Sequence, residues 1–400
     1  MTEGQAATHE RPRGGDGTLV VVAGEASGDL HGARLVRSLR ALAPDLRILG
    51  MGGAAMREAG VELVADAGET AVVGITELWE KRRVLRAALE RLRSRLRVER
   101  PDLLICIDFP DFNLLLAKSA KRLGVPVCYF ISPQIWAWRR WRLHTIRRLV
   151  RRMLVLFPFE EALYREAGVD VRFVGHPLLD ALADVPAASV CRASLGLPPS
   201  AEVLCLLPGS RGAELRRHLP ILLGAAERIR TARPGVELLL ALAPTLDESA
   251  VRASVAASGL PVRLVRSDTA RAIRAADLVL AVSGTVTLET AILGTPMIIT
   301  YRVGTLTYLL VRPLISVRFV GLPNLVAGRG VVPELLQQDA TPERLAVEAL
   351  SLLAAPERLQ AMRAALVEVR SRLGERGAAD RAAREILGLL AEGAAGEGGP

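Results

Sequence analysis

Val20-Val-Val-Ala-Gly-Glu-Ala-Ser-Gly-Asp29 reads as a hydrophobic strand, a Gly-rich turn and the start of a helix. Gly24 and Gly28 permit a close backbone approach that a side chain would block. Ser27 or Asp29 is placed to cap the helix, whose N-terminus would attract an anion. Alone, the stretch is neither a GxGxxG fingerprint nor a P-loop, and it fits an ordinary βα turn equally well. Its recurrence along the chain decides the fold. Further strand candidates follow at 46–50, 103–107, 125–130, 153–156 and 171–174, with the first at 19–23. Helical patterns at 30–42, 79–98, 112–123 and 160–167 separate them. Near-continuous apolar strands joined by helices predict a parallel sheet covered on both faces.

The pattern breaks at 180–201, a stretch rich in Ala, Pro and Ser. A second series then begins, with strands at 203–207, 236–241, 262–265, 278–281 and 297–300. Helices are expected at 213–231, 248–258, 286–293 and 342–354. The fold class is therefore α/β, with two doubly wound Rossmann-like domains facing across a cleft. The expected divisions are a disordered tail at 1–16, one domain at 17–180, a second at 190–375, a helix at 376–392 and a disordered tail at 393–400. Such sheets bind ligands beyond the carboxyl ends of their strands.

Composition narrows the function. The formal charge is +9, and its cations are almost all Arg, with Lys only at 81, 118 and 121. A GC-rich genome accounts for that bias, as does a basic surface for anionic partners. Aromatics make up only 4% of residues, which leaves few platforms for stacking bases, so nucleic acid is not expected as a partner. Cys106, Cys128, Cys191 and Cys205 form no CxxC pair, so no zinc or dithiol site is expected. No run reaches the length of a membrane span; the apolar stretch 303–311 stops at Arg312-Pro313.

Five further segments carry chemistry. In Ile105-Cys-Ile-Asp-Phe-Pro-Asp-Phe-Asn113 a strand ends in two carboxylates and an amide. Asp108 or Asp111 there could accept a proton from an attacking hydroxyl, although Asp111 also suits a helix cap. Ser132-Pro-Gln-Ile-Trp-Ala-Trp-Arg-Arg-Trp-Arg142 sets Trp136, Trp138 and Trp141 beside arginines. That composition fits a membrane interface or an acyl-phosphate ligand, or else a Trp-rich core corner with a basic face. In Leu206-Leu-Pro-Gly-Ser-Arg-Gly-Ala-Glu214 a strand opens into a Gly loop and a helix start. Ser210 and Arg211 would meet a diphosphate there. Val282-Ser-Gly-Thr-Val-Thr-Leu-Glu289 repeats the design with Ser283, Gly284 and Thr285, and Glu289 follows one helical turn later. Gly321-Leu-Pro-Asn-Leu-Val-Ala-Gly-Arg329 contributes Asn324. No Asp-x-Asp occurs, so neither a metal nor another cofactor is expected, and diphosphate stabilisation falls to Arg211 and helix N-termini.

Taken in order from about residue 18 to 390, these segments resemble the lipid-A-disaccharide synthases. The resemblance is carried by Gly24-Glu-Ala-Ser-Gly-Asp29, Gly74-Ile-Thr-Glu77, Asp108-Phe-Pro-Asp-Phe-Asn113, Trp136-Ala-Trp-Arg139, Gly175-His-Pro177, Leu207-Pro-Gly-Ser-Arg-Gly-Ala-Glu214, Ser283-Gly-Thr285 and Leu322-Pro-Asn-Leu325. It implies a GT-B fold and metal-independent transfer from UDP-2,3-diacylglucosamine to 2,3-diacylglucosamine 1-phosphate (lipid X). The product is the β-1,6-linked disaccharide 1-phosphate, with inversion and release of UDP. It also implies a cytoplasmic enzyme, peripheral at the inner membrane; the oligomeric state stays open, a homodimer included. On this reading Asp111 is the general base, with Asp108 the second choice, and Arg211 stabilises the departing diphosphate. Ser210, Ser283, Gly284, Thr285, Glu289 and Asn324 bind UDP. Ser27, Asp29, Asn113, Trp136 and Trp138 contact substrate on the acceptor side, and His176 is a hinge residue. Gln134 and Gly321 depart from the family pattern. The alternatives are a transferase or epimerase acting on an unacylated UDP-sugar, and a non-catalytic nucleotide-binding or membrane-scaffold protein.

Overall fold

The computed structural model describes residues 17–70, 77–138, 141–244, 246–304, 308 and 318–396. They divide into two compact units, one from Met1–Pro177 with Gly377–Pro400, the other from Leu178–Arg376. In the first unit the strands are β1 (Thr18–Ala23), β2 (Arg47–Gly52), β3 (Glu62–Asp66), β4 (Leu103–Ile107), β5 (Val127–Phe130), β6 (Arg152–Val155) and β7 (Val171–Phe173). They pair in parallel in the order β3-β2-β1-β4-β5-β6-β7. Leu19 to Ala23 and Leu103 to Ile107 are fully buried, as a sheet covered on both faces requires.

The second unit holds β8 (Val203–Leu207), β9 (Glu237–Leu242), β10 (Val262–Arg266), β11 (Leu278–Val282), β12 (Met297–Tyr301) and β13 (Glu334–Leu336). Their order, β10-β9-β8-β11-β12-β13, repeats that of the first unit for six strands. In each sheet the strand order reverses once, between β1 and β4 and between β8 and β11. A doubly wound sheet opens its ligand crevice at such a switch point.

Two strands escaped the sequence reading, β3 and β13. Both are edge strands, and neither is a fully buried apolar run. Helices Ala188–Ser194 and Pro356–Arg372 were also unassigned; the first lies inside the stretch read as a break. The last helix, Ala378–Gly396, continues past Gly393, where the sequence places a tail. It packs on the helix Ala26–Leu42 of the first unit, where Ser38 Oγ donates to Asp380 (2.6 Å). Arg381 donates to the Val174 carbonyl (2.8 Å), and Arg152 meets Asp170, Glu385 and Glu392 at 2.8, 3.3 and 2.9 Å. Arg152 is thus a buried cation shared among three acids, the arrangement that makes such burial tolerable. All four cysteines are buried.

Candidate active site

At the first switch point the ends of β1 and β4 touch. After Ile107 the chain turns through two non-glycine residues with positive φ, Asp108 (45°) and Phe109 (47°). A bulky residue in that region is strained and needs anchoring. Tyr129 Oη donates to the Asp108 carbonyl (2.5 Å), and Asn113 Nδ2 donates to it as well (2.8 Å). Asn113 Nδ2 also reaches the Ile107 carbonyl (3.2 Å), and the Asp108 amide donates to Phe130 (3.1 Å). The turn lays the Phe109 ring on Gly24, where a Cβ would lie 2.1 Å from it. Gly24 therefore has to be glycine, and for contact with a neighbouring strand end.

The outcome is a clamped backbone with the Asp108 carboxyl largely desolvated. Burial, with the charge of Glu25 beside it, pushes that carboxyl up to about 6, against a smaller opposing bond from the Phe109 amide. A carboxylate poised near neutrality at a strand's carboxyl end is equipped to take a proton. Asp111 is different. It sits in the first turn of the helix Pro110–Arg122, its side chain is 77% exposed, and it is ion-paired with the buried Arg142. Of the two candidate bases, Asp108 is the desolvated one and Asp111 the exposed, ion-paired one.

Several other candidates are occupied by the fold. Asp29 is buried, and its carboxylate receives the amides of Gly53, Ala55 and Met56 at 2.7, 3.0 and 3.0 Å. It caps the helix Ala54–Glu58. Neither Ser27 nor Asp29 caps its own helix, which begins at Ala26 after Glu25; Ser27 is exposed. Asn113 is fully buried on backbone carbonyls, which makes it a positioning residue for Asp108. Trp136 donates its indole N–H to buried Glu160 (3.1 Å) and packs edge-on against Phe159, so it belongs to the core corner. Burial raises the Glu160 carboxyl to about 8. Trp138 ends the short helix Ile135–Trp138, and its side chain lies outside the described residues. So do Gly74 to Thr76, Arg139 and the stretch 309–317. Trp141 is 69% exposed, with the Arg142 guanidinium over its ring. His176 is buried against Phe157, and burial holds its imidazole down to about 3.

The second switch point is built differently. β8 runs into Pro208 and Gly209, the latter at φ 100° with the Glu214 side chain 2.7 Å from where its Cβ would stand. Glu214, in the first turn of the helix Gly212–Ala232, accepts the amides of Ser210 (3.1 Å) and Arg211 (3.3 Å). The loop is folded back by its own helix, and Arg211 projects with 80% of its side chain exposed. Its contact with Glu214, at 3.4 Å, is long. Beside it, β11 is followed by Ser283, whose amide donates to Thr300 (3.1 Å) and whose hydroxyl donates to Val320 (3.3 Å). Gly284 and Thr285 are exposed at the start of the helix Thr285–Ile292. Thr287 Oγ1 bonds back to Gly284 (2.8 Å), so Glu289 has no capping role. Its half-buried carboxyl is raised by desolvation.

Asn324 is not available as a ligand contact either. Its amide donates to Val332 (2.9 Å) and Glu334 (2.7 Å), and its oxygen accepts Val331 (2.7 Å) and Val332 (3.0 Å). It shapes the loop that leads into β13. Gly321 is packed tightly as well, since a Cβ there would lie 2.3 Å from Ile299 Cδ1. A larger residue at that position requires Ile299 to move.

Two doubly wound units, one with a poised carboxylate and one with an exposed guanidinium at a helix start, define a GT-B-fold enzyme. The Staphylococcus aureus MnaA–UDP co-structure shares this fold at 12% identity, with a TM-score of 0.64 over 93% of this chain and 97% of that one. The family follows from the sequence comparison. The model for lipid-A-disaccharide synthetase matches residues 19–386, and the chain belongs to that family. The lipid-A-disaccharide synthase of Syntrophus aciditrophicus (strain SB) is 50% identical over 93% of this chain and 97% of its own length. That of Myxococcus xanthus (strain DK1622) is 47% identical over 94% and 98%. The chain is a glycosyltransferase of lipid A biosynthesis. No described helix is long and apolar enough to cross a membrane.

Proposed function

We propose that the chain transfers the 2,3-diacylglucosaminyl group of UDP-2,3-diacylglucosamine to the 6-hydroxyl of 2,3-diacylglucosamine 1-phosphate. The acceptor oxygen attacks the anomeric carbon on the face opposite the diphosphate, so the new β-1,6 bond forms with inversion. The acceptor proton passes to the Asp108 carboxylate. The anomeric C–O bond breaks, and its electron pair leaves with UDP. Arg211 and the amides at the helix starts after β8 and β11 stabilise the charge that develops on the diphosphate. Ser210, Ser283, Gly284 and Thr285 complete that donor group, and Glu289 accepts from the ribose hydroxyls. Ser27 is kept on the acceptor side. Fold likeness to a UDP-bound structure supports the nucleotide half of the reading. The single observation that carries the chemistry is the anchored Asp108 turn, with its carboxyl raised to about 6.

Because Arg211 and helix termini supply the positive charge, the reaction runs without a metal ion, and EDTA leaves its rate unchanged. Acylated substrates suit a peripheral enzyme on the cytoplasmic side of the inner membrane; vesicle flotation tests the attachment, and sedimentation distinguishes a homodimer from a monomer. The deciding experiment incubates the chain with both acylated substrates and reads disaccharide phosphate and UDP by mass spectrometry, with the anomeric configuration by NMR. Equal turnover of unacylated UDP-N-acetylglucosamine would overturn the substrate assignment, and an α-linked product would overturn inversion.

A further inference from the structure

The helix behind the Gly-Ser-Arg-Gly loop carries a residue that the motif does not point to. His218 lies one turn after Glu214 and is 1% exposed. Its Nδ1 is 2.8 Å from the Glu214 carbonyl oxygen, and its Nε2 is 3.0 Å from the Arg302 amide nitrogen. A carbonyl only accepts and a peptide N–H only donates. The two contacts together assign a neutral ring with its proton on Nδ1. The ring stacks on Tyr301, the last residue of β12, at 5.4 Å and 22°. The neighbouring Arg217 donates to the Arg302 carbonyl (3.4 Å). Both backbone groups of Arg302 are therefore tied to one turn of this helix. Glu214 is also the residue whose carboxylate gathers the Ser210 and Arg211 amides.

We propose that His218 is a positioning residue for the donor diphosphate: as the Nδ1–H tautomer it locks the turn bearing Ser210, Arg211 and Glu214 to the peptide that leaves β12. This rests on the assignment of the diphosphate to Arg211. A side chain that merely filled space would need neither directional bond. Removing the acceptor strands the Arg302 N–H and frees the helix start to shift, and small displacements of a binding group cost affinity steeply.

The test compares full-length His218→Leu and His218→Gln with Arg211→Ala, reading donor KM, acceptor KM and the inhibition constant of UDP. His218→Leu raises donor KM and the UDP constant about tenfold, the scale of a lost hydrogen bond with a stranded partner, and leaves acceptor KM within about twofold. Glutamine restores an acceptor for the Arg302 amide, so His218→Gln recovers most of the loss. A folded His218→Leu enzyme with unchanged donor KM overturns the proposal, as does an equal rise in both KM values or a Gln variant no better than Leu. If the Leu variant does not fold, long-range 1H–15N spectra of the wild-type imidazole decide: protonation on Nδ1 supports the proposal, and protonation on Nε2 overturns it. Loss of UDP binding in Arg211→Ala alone sinks only the His218 role, whereas unchanged UDP binding in Arg211→Ala removes the diphosphate reading beneath it.

Discussion

The two switch points share a strand order and differ in what their loops do with it. At β1 and β4 the turn is strained, its backbone is clamped by Tyr129 and Asn113, and a desolvated acid results. At β8 and β11 the turns pass through glycines, and an exposed Arg211 and an exposed helix start result. Topology supplies the location in both cases. Side-chain size decides the chemistry: Phe109 presses on Gly24 and closes the first turn, while at the second Glu214 fills the space beside Gly209 and Gly284 is left open.

Substituting Asp108 breaks the contrast most sharply. Asp108→Asn is expected to lower kcat about 10²–10⁴-fold, the usual contribution of a positioned base. The same change should stabilise the fold. A carboxyl raised to about 6 binds its proton more tightly in the native state than in the unfolded one. Stability therefore falls as pH rises from 3.8 through about 6, and the ionised form burdens the native state at neutral pH. Removing the charge should return about 1–2 kcal/mol, after discounting for solvent screening. Thermal melts and steady-state rates on one preparation check both signs; an inactive and destabilised variant would indicate a structural residue. Kinetics in the wild type should agree, with kcat/KM rising through about pH 6 and then levelling.

Arg211→Ala should cost about 3 kcal/mol of transition-state stabilisation, seen in kcat together with weaker inhibition by UDP. Wild-type turnover in that variant would remove the second half of the comparison. An effect of similar scale is expected from pH on stability. Burial holds His31 down to about 4 and His176 down to about 3. The unfolded chain protonates each near 6.5, so below that value the unfolded state binds more protons. Urea melts should show stability declining as pH falls from 6.5 toward 4, and His176→Phe should flatten the slope. Least of all, Asp111→Asn should change kcat by less than about threefold, because its carboxyl is exposed and not desolvated; losing the partner of buried Arg142 should show in thermal stability instead. A loss as large as that of Asp108→Asn would return the base to Asp111.

Much of this was legible along the chain. Fully buried strands advertise themselves, since a strand covered on both faces must be apolar throughout. Partly exposed β3 and β13 do not, because Glu and Asp residues interrupt their apolar run, whereas the edge strands β7 and β10 keep enough β-branched residues to be read. The motifs located both switch points, yet not the task of each polar residue within them. Asp29, Asn113 and Asn324 have the chemistry of ligand-binding groups, but folding ties Asp29 and Asn113 to backbone groups and Asn324 to backbone groups and the Glu334 carboxylate. His218 left no signal at all, since its partner Arg302 is distant in sequence.

Sequence alone determined two α/β series, the acidic and glycine-rich strand ends, and the family. The first two follow from local periodicity and from residue types at fixed spacing, which need no knowledge of neighbours; the family follows from the ordered resemblance of its motifs. Only the tertiary structure decided which of Asp108 and Asp111 is desolvated and which polar residues are already satisfied. A side chain's burial and hydrogen-bond partners come from segments far along the chain, as Gly24, Phe109 and Tyr129 do for Asp108.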